Sequence, residues 1–203
     1  MAGAAKSRKA ALGFHAHSGW AAAVLAAGRG EKIEILDRRR VALCDSTKPG
    51  SKQPFHAAEP MPLLQAESHI ALCRKATDGL AREAIGAALV LCERQKLRLC
   101  GVCIVTASGR ALPGLSAILA SHALIHAAEG EFYRDAVAAA ADALGLKTAR
   151  LKEAEALSQL AGLTGLGEAM VTRKLIALGK AVGPPWTADE KLATLAAWSL
   201  LTD

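Results

Sequence analysis

From Leu12 to Ala27 the chain runs LGFHAHSGWAAAVLAA, with no charged side chain in the stretch. In an extended chain Gly13, His15, His17, Gly19, Ala21 and Ala23 face one way, while Phe14, Ala16, Ser18, Trp20, Ala22 and Val24 face the other. A segment that is small or apolar on both faces predicts the first and most central strand of a sheet covered by helices. Gly28-Arg29-Gly30-Glu31 then offers a turn, and Lys32 to Leu36 alternates as an antiparallel partner should, so the pair reads as a hairpin. Arg39 to Cys44 is a third strand that can run on from the second through Asp37 and Arg38.

The pattern then changes. Residues 45–62 hold four prolines and Gly50, which predicts a long irregular loop of the kind that is often functional or mobile. Leu63 to Gln95 returns to helical spacing through Ile70, Cys73, Leu80, Ile85, Leu89 and Cys92, with Asp78-Gly79 as a point where it could break. Leu97 to Thr106 predicts a fully buried fourth strand, and the loop Ser108 to Gly114 lies at its carboxyl end, where open α/β sheets place ligands. Across a predicted helix from Leu115 to Leu144, one stripe carries Leu115, Leu119, His122, His126, Glu129, Tyr133, Val137, Ala140 and Leu144.

That stripe should meet the sheet, so His122, His126 and Glu129 need partners, since buried polar groups without them cost several kcal/mol. The candidates are each other, Tyr133, water, a metal, or His15 and His17 on the first strand. Lys147 to Leu151 predicts a fifth strand, and Glu153 to Leu160 a short helix. Gly162 to Gly167 predicts a turn, and Glu168 to Leu178 or slightly beyond another helix. After the break at Gly183-Pro184-Pro185-Trp186, Thr187 and Glu190 form a capping box for a last helix.

Composition narrows the class. A chain of 203 residues, 52% hydrophobic but only 3% aromatic, suits one domain over 1–203 with an Ala-rich aliphatic core, a flexible tail at 1–9 and the long loop at 45–62. The formal charge of +6 and a pI near 9.2 favour an acidic partner such as DNA or RNA. Arg38, Arg39, Arg40, Lys48 and Lys52 are candidate phosphate contacts, against the plain alternative of a solvated surface.

The N-terminus superficially resembles a signal peptide, but two histidines and Gly-Trp interrupt its apolar part and a hairpin follows. No run approaches the roughly 18 apolar residues of a membrane helix, so a cytoplasmic protein without membrane contact is expected. Five cysteines are an odd number and argue against a closed disulfide framework. Cys100 and Cys103 share a CxxC spacing inside a predicted strand, where residues three apart face opposite sides, and read as small core residues. Trp186 and Trp198 leave a partner surface open, a homodimer included, although Trp is more often core.

Element order and three short motifs resemble the ribonuclease H-like superfamily, and among its members RuvC-type Holliday-junction resolvases. Gly13-Phe14-His15 with Ser18-Gly19-Trp20-Ala21 is similar to the family's first strand, Leu163 to Ala169 to the latter part of a glycine-rich motif, and Asp189 to Ala193 to a D-x-x-D-A motif in the last helix. The resemblance implies a mixed five-stranded sheet, with antiparallel hairpin strands followed by parallel ones, flanked by helices. It also implies a carboxylate site for two Mg²⁺ ions acting on a phosphodiester.

Where that resemblance expects acids, this chain has His15, a residue near Thr106 or Ala107, and Leu192, and only Asp189 matches. Two functions follow. One is a catalytically degenerate domain that binds nucleic acid or a protein partner. The other is a metal-dependent phosphodiester hydrolase with a rebuilt site, with His15, His17, Glu129 and Asp189 as catalytic candidates and His122, His126 and Glu129 as metal ligands. Imidazole with carboxylate suits Zn²⁺, Mn²⁺ or Fe²⁺ better than Mg²⁺.

Overall fold

The computed structural model describes residues 8–107 and 111–202. Its sheet has five strands in the order β3-β2-β1-β4-β5, formed by β1 Lys9–His17, β2 Trp20–Arg29, β3 Lys32–Ala42, β4 Arg98–Thr106 and β5 Thr148–Lys152. The first three strands pair antiparallel, and β4 and β5 continue the sheet parallel to β1. This is the mixed α/β arrangement expected.

The predicted opening strand is in fact two. Ser18 and Gly19 close a tight hairpin in which His17 pairs with Trp20, and Gly19 takes φ +82°, a conformation that glycine adopts without strain. Because the flanks carry no charged side chain and no proline, only Ser-Gly itself marks the turn. β3 runs unbroken through Asp37 and Arg38. Lys9 already belongs to β1, and the Arg8 carbonyl accepts from Arg98 N–H at 3.0 Å, so the sheet begins within the expected 1–9 tail; residues 1–7 lie outside the described residues, as do 108–110 of the predicted ligand loop.

Helices depart in several places. The segment 45–62 contains α1, Pro54–Ala58, with proline in its first turn, where the missing N–H costs nothing. α2, Leu63–Arg94, is unbroken at Asp78-Gly79, and Arg74 Nε bonds Asp78 Oδ1 at 2.7 Å across that turn. The predicted helix 115–144 divides into α3, Leu115–Leu119, and α4, His122–Ala143, because Ser121 is extended at φ −140°. The chain ends with a 3₁₀ turn, Glu153–Glu155, and helices α5 Ala156–Thr164, α6 Glu168–Val182 and α7 Ala188–Ser199, α5 running on through Gly162 into the predicted turn. Thr187 and Glu190 form the expected capping box.

The two sheet faces carry different layers. Leu12, Phe14 and Ala16 share a core with Ile85 of α2 and with Ile125, Tyr133 and Val137 of α4. The Gly13, His15 and His17 side receives α7. A Cβ on Gly13 would lie 1.9 Å from the Ala193 carbonyl oxygen and 2.6 Å from Ala197 N, so helix backbone rests directly on strand backbone. The far end of α7 is tied down as well, by Trp198 Nε1–H donating to Gly30 O at 2.6 Å and Gly30 N–H donating to Leu201 O at 2.7 Å.

One expectation about β4 fails for a local reason. Ala10 pairs with Leu99 but Leu12 with Val102, so β4 carries an extra residue, and such a bulge resets the alternation. Cys100 and Cys103 therefore both pack toward the α7 side. All five cysteines are free, and burial pushes the Cys103 thiol up to about 11, which suits a core residue and not a reactive thiolate. Among the described residues no helix is long and apolar enough to cross a membrane.

Gly13→Ala should destabilise the fold by about 3 kcal/mol, because neither backbone can move aside cheaply. Gly79→Ala, with nothing within 4 Å of the added carbon, should stabilise α2 by roughly 0.5–1 kcal/mol. Urea denaturation of the two variants reads both signs.

Candidate functional site

The anchored α7 carries Asp189 in its first turn, and this places the carboxylate over the carboxyl end of β1. Asp189 Oδ1 lies 3.0 Å from His15 Nδ1 and 2.8 Å from His17 Nε2, so one oxygen is shared by two imidazoles from alternate positions of the same strand face. On its other side, His15 Nε2 is 3.8 Å from Glu153 Oε2. One ligand atom from each of His15, His17 and Asp189 falls within 4.8 Å of the others. Two imidazoles and a carboxylate form a donor set suited to a borderline transition metal.

Burial lowers the proton affinity of the His15 imidazole, helped by the neighbouring His17 and opposed by Asp189 and Glu153. For Asp189, burial alone would raise the carboxyl, but the hydrogen bonds and charges of His17 and His15 outweigh it and hold the group below its ordinary value. The cluster thus favours a neutral His15 facing an ionised Asp189.

Beside it, β2 lies between β1 and β3, and a layered stack follows from that order. His17 stacks on Trp20 with centroids 4.4 Å apart and planes 17° apart, and Arg40 Cζ sits 3.5 Å over the Trp20 ring. A cleft of about 410 Å³ is lined by Trp20, Arg38, Arg39, Arg40, Thr187 and Asp189 among others. A second, of about 460 Å³, extends past Trp20 and Arg40 to Cys44, Ser46 and Lys52. The basic candidates are not equivalent. Arg38 is committed to the C-terminal end of α6, donating to Val182 O at 3.1 Å, to Pro184 O at 2.8 Å and to Pro185 O. Arg39 is paired with Asp37 at 2.7 Å and Lys48 with Asp45 at 3.6 Å, both exposed pairs of the kind worth little.

The remaining candidates lie elsewhere. His122 and His126 are exposed at the start of α4 and do not face the sheet, while Glu129 and Tyr133 further along the stripe are buried. Of the predicted stripe, Glu129, Tyr133, Val137 and Ala140 are buried, while His15 and His17 lie on the opposite face of the sheet from α4. Instead of His15 and His17, the group that meets His122 and His126 is His56 of α1, with ring centroids at 5.5 Å and 4.7 Å. His56 was not foreseen; Pro54, a helix-start signal two residues before it, was the available hint.

Glu129 caps α1 from another helix. Its Oε1 accepts from Phe55 N–H at 2.9 Å, from His56 N–H at 3.0 Å, and lies 3.2 Å from His56 Nδ1, doing what the side chain of Gln53 does not. Tyr133 Oη donates to the carbonyls of Ser51 at 2.8 Å and Lys52 at 2.9 Å. Burial pushes the Glu129 carboxyl up, against the hydrogen bonds from His56 and Phe55. The two buried polar residues of the stripe, Glu129 and Tyr133, thus hold the 45–62 segment in place.

Sheet order, strand directions and a terminal helix crossing the central strand define a ribonuclease H-like fold. Among solved structures, the chain matches Thermus thermophilus RuvC in complex with a Holliday junction substrate at a TM-score of 0.57 and 14% identity, covering 94% of this chain and 92% of that one. A second Thermus thermophilus RuvC structure matches at a TM-score of 0.53 and 13% identity, with the same coverage of 94% and 92%. No family model matches the sequence, and no curated protein does. The likeness is one of fold.

Asp189 stabilises the folded chain above the ordinary carboxylate value of 3.8, and that contribution is lost as pH falls through its lower folded value. His15 does the same from 6.5 downward. Between about pH 7 and pH 5 the wild type should therefore lose stability faster than His15→Gln, read from urea midpoints at each pH. Glu129→Ala should cost about 2–4 kcal/mol by leaving two buried N–H groups unpaired, while Glu129→Gln, which keeps an acceptor, should cost far less in the same measurement.

Proposed function

We propose that this chain is a nucleic-acid-binding protein of RuvC-like fold whose central cleft holds a phosphodiester backbone without a two-magnesium centre. The observation that carries this reading is the Arg40 guanidinium carbon 3.5 Å over the Trp20 ring, at the rim of the cleft that also contains Asp189. A cation–π contact of this kind holds the guanidinium beside the cleft, and its N–H groups can make bidentate contact with phosphate. Arg39 and Lys48, held only by exposed ion pairs, can exchange those partners for phosphates, and the net charge of +6 favours approach of a polyanion. Because the fold is shared with a RuvC solved on a Holliday junction substrate, branched DNA is the first substrate to test.

The residues do not fit the metal centre that such a fold implies. Mg²⁺ demands oxygen ligands, and the cluster offers two imidazoles and one carboxylate, with Glu153 beyond His15.

A second reading, a hydrolase dependent on Zn²⁺, Mn²⁺ or Fe²⁺, is favoured by the convergence of His15, His17 and Asp189 within 4.8 Å. A bound ion would supply a polarised water or phosphoryl oxygen. The chain itself would orient that ion through Asp189 and leave Glu153 beside His15 to accept a proton.

Fluorescence anisotropy with labelled four-way-junction and linear DNA tests the binding reading. Affinity should fall steeply with salt, and Arg40→Ala should weaken it about tenfold with a shallower salt slope; no binding at low salt would end the proposal. Incubating the same junction with Mn²⁺ or Zn²⁺ separates the two readings. Cleavage that disappears in Asp189→Asn would establish the hydrolase, and intact DNA with every metal would leave the binding protein.

A further inference from the structure

On the α2 and α4 side of the sheet, away from the cleft, three imidazoles converge that neither reading of the cleft uses. His122 and His126 are four residues apart on α4, so they share a face, with ring centroids 4.5 Å apart and their Nε2 atoms 3.0 Å apart. His56 arrives from α1, and one ring nitrogen from each of the three lies within 4.8 Å of the others. We propose that His56, His122 and His126 bind a single borderline divalent cation, for which Zn²⁺ is the best match, and that the ion clasps α1 to the start of α4.

Four features support the assignment. A tetrahedral Zn²⁺ with nitrogens at about 2.0–2.1 Å sets them about 3.3 Å apart, close to the spacing already present between His122 and His126. The Nδ1 atom of His56 is engaged by Glu129, which leaves Nε2 for the cation and fixes its tautomer, as a carboxylate behind a ligating histidine does. Glu129 is only 2% exposed, yet its Oε2 has no hydrogen-bond partner among the described residues, and a cation at the triad would offset the buried carboxylate directly behind it. Finally, His122 and His126 are exposed, which gives the ion an entry path and leaves a fourth position for water.

Glu129 serves as the positioning residue behind His56, and His56 takes the ligand place that the sequence reading expected of Glu129. An all-nitrogen triad also sets the site apart from Mg²⁺, which takes oxygen ligands. The expected consequence is mechanical: the 45–62 segment, already pinned through Tyr133 and Glu129, gains a third anchor at His56.

Calorimetric titration of tag-free, chelator-treated full-length protein with ZnCl₂ tests the proposal, using His15→Ala/His17→Ala as the background that removes the cleft imidazoles. One Zn²⁺ per chain should bind in that background and raise the melting temperature, while MgCl₂ should do neither. His122→Ala and His126→Ala, both at exposed positions, should abolish binding without lowering the melting temperature of the metal-free protein. Glu129→Gln should weaken it roughly 10–100-fold. Zn²⁺ binding that vanishes in the His15→Ala/His17→Ala background, that survives His126→Ala, or that is absent from the wild type would overturn the assignment. None of these outcomes bears on DNA binding at Arg40, so the two proposals stand or fall separately.

Discussion

Everything at the cleft depends on how closely α7 approaches β1. With no side chain at Gly13, the Ala193 carbonyl comes to within 1.9 Å of where a Cβ would sit, and the surrounding Ala11, Ala26 and Ala197 are equally small. Helix propensity alone would not place a helix there; an alanine-rich helix can approach this closely only over a strand that is itself nearly bare. The clamp from Gly30 to Trp198 and Leu201 fixes the other end of α7. Held along its length, α7 has little freedom left at its first turn, and Asp189 reaches both histidines with the same oxygen.

The same chain uses the two sides of the sheet for different chemistry. On the α7 side, a carboxylate is placed between imidazoles in a partly buried setting, next to an arginine fixed on a tryptophan. On the α4 side, a buried carboxylate supports the backbone of a short helix and one imidazole, and the remaining two imidazoles face outward. In both, a carboxylate orients histidine. What differs is which group remains exposed: on one side a basic rim suited to a polyanion, on the other bare ring nitrogens suited to a cation.

Much of the architecture was legible because it rests on burial patterns with a clear period. The apolar opening, the buried β4 segment, the α4 stripe from Glu129 to Ala140 and the Thr187 capping box are all of this kind, and the structure has them. Turns and helix starts carried weaker signals. Ser18-Gly19 lies inside an uncharged stretch with no proline, and Ser121 breaks a helix with one extended residue and no proline or glycine. The β4 bulge left no trace in composition and overturned the alternation argument for Cys100 and Cys103.

The candidate sites divided along the same line. His15, His17 and Asp189 could be named because strand alternation and a last-helix motif point to them. The pairing of His122 and His126 with the sheet could not survive, because it needed to know where α4 starts relative to the sheet edge. His56 sits in a proline-rich segment whose helix is held by contacts from elsewhere, Glu129 above all, and no local pattern announces that. Long-range capping of this sort is visible only once the chain has folded.

The most direct measurement is histidine NMR during titration with four-way-junction DNA, following the imidazole resonances of His15 and His17 against those of His122 and His126 in metal-free protein. The account predicts that the first pair shifts progressively with DNA while the second pair stays in place. Shifts confined to His122 and His126, or to neither pair while DNA binds, would mean that the cleft beside Arg40 and Trp20 is not where nucleic acid is held.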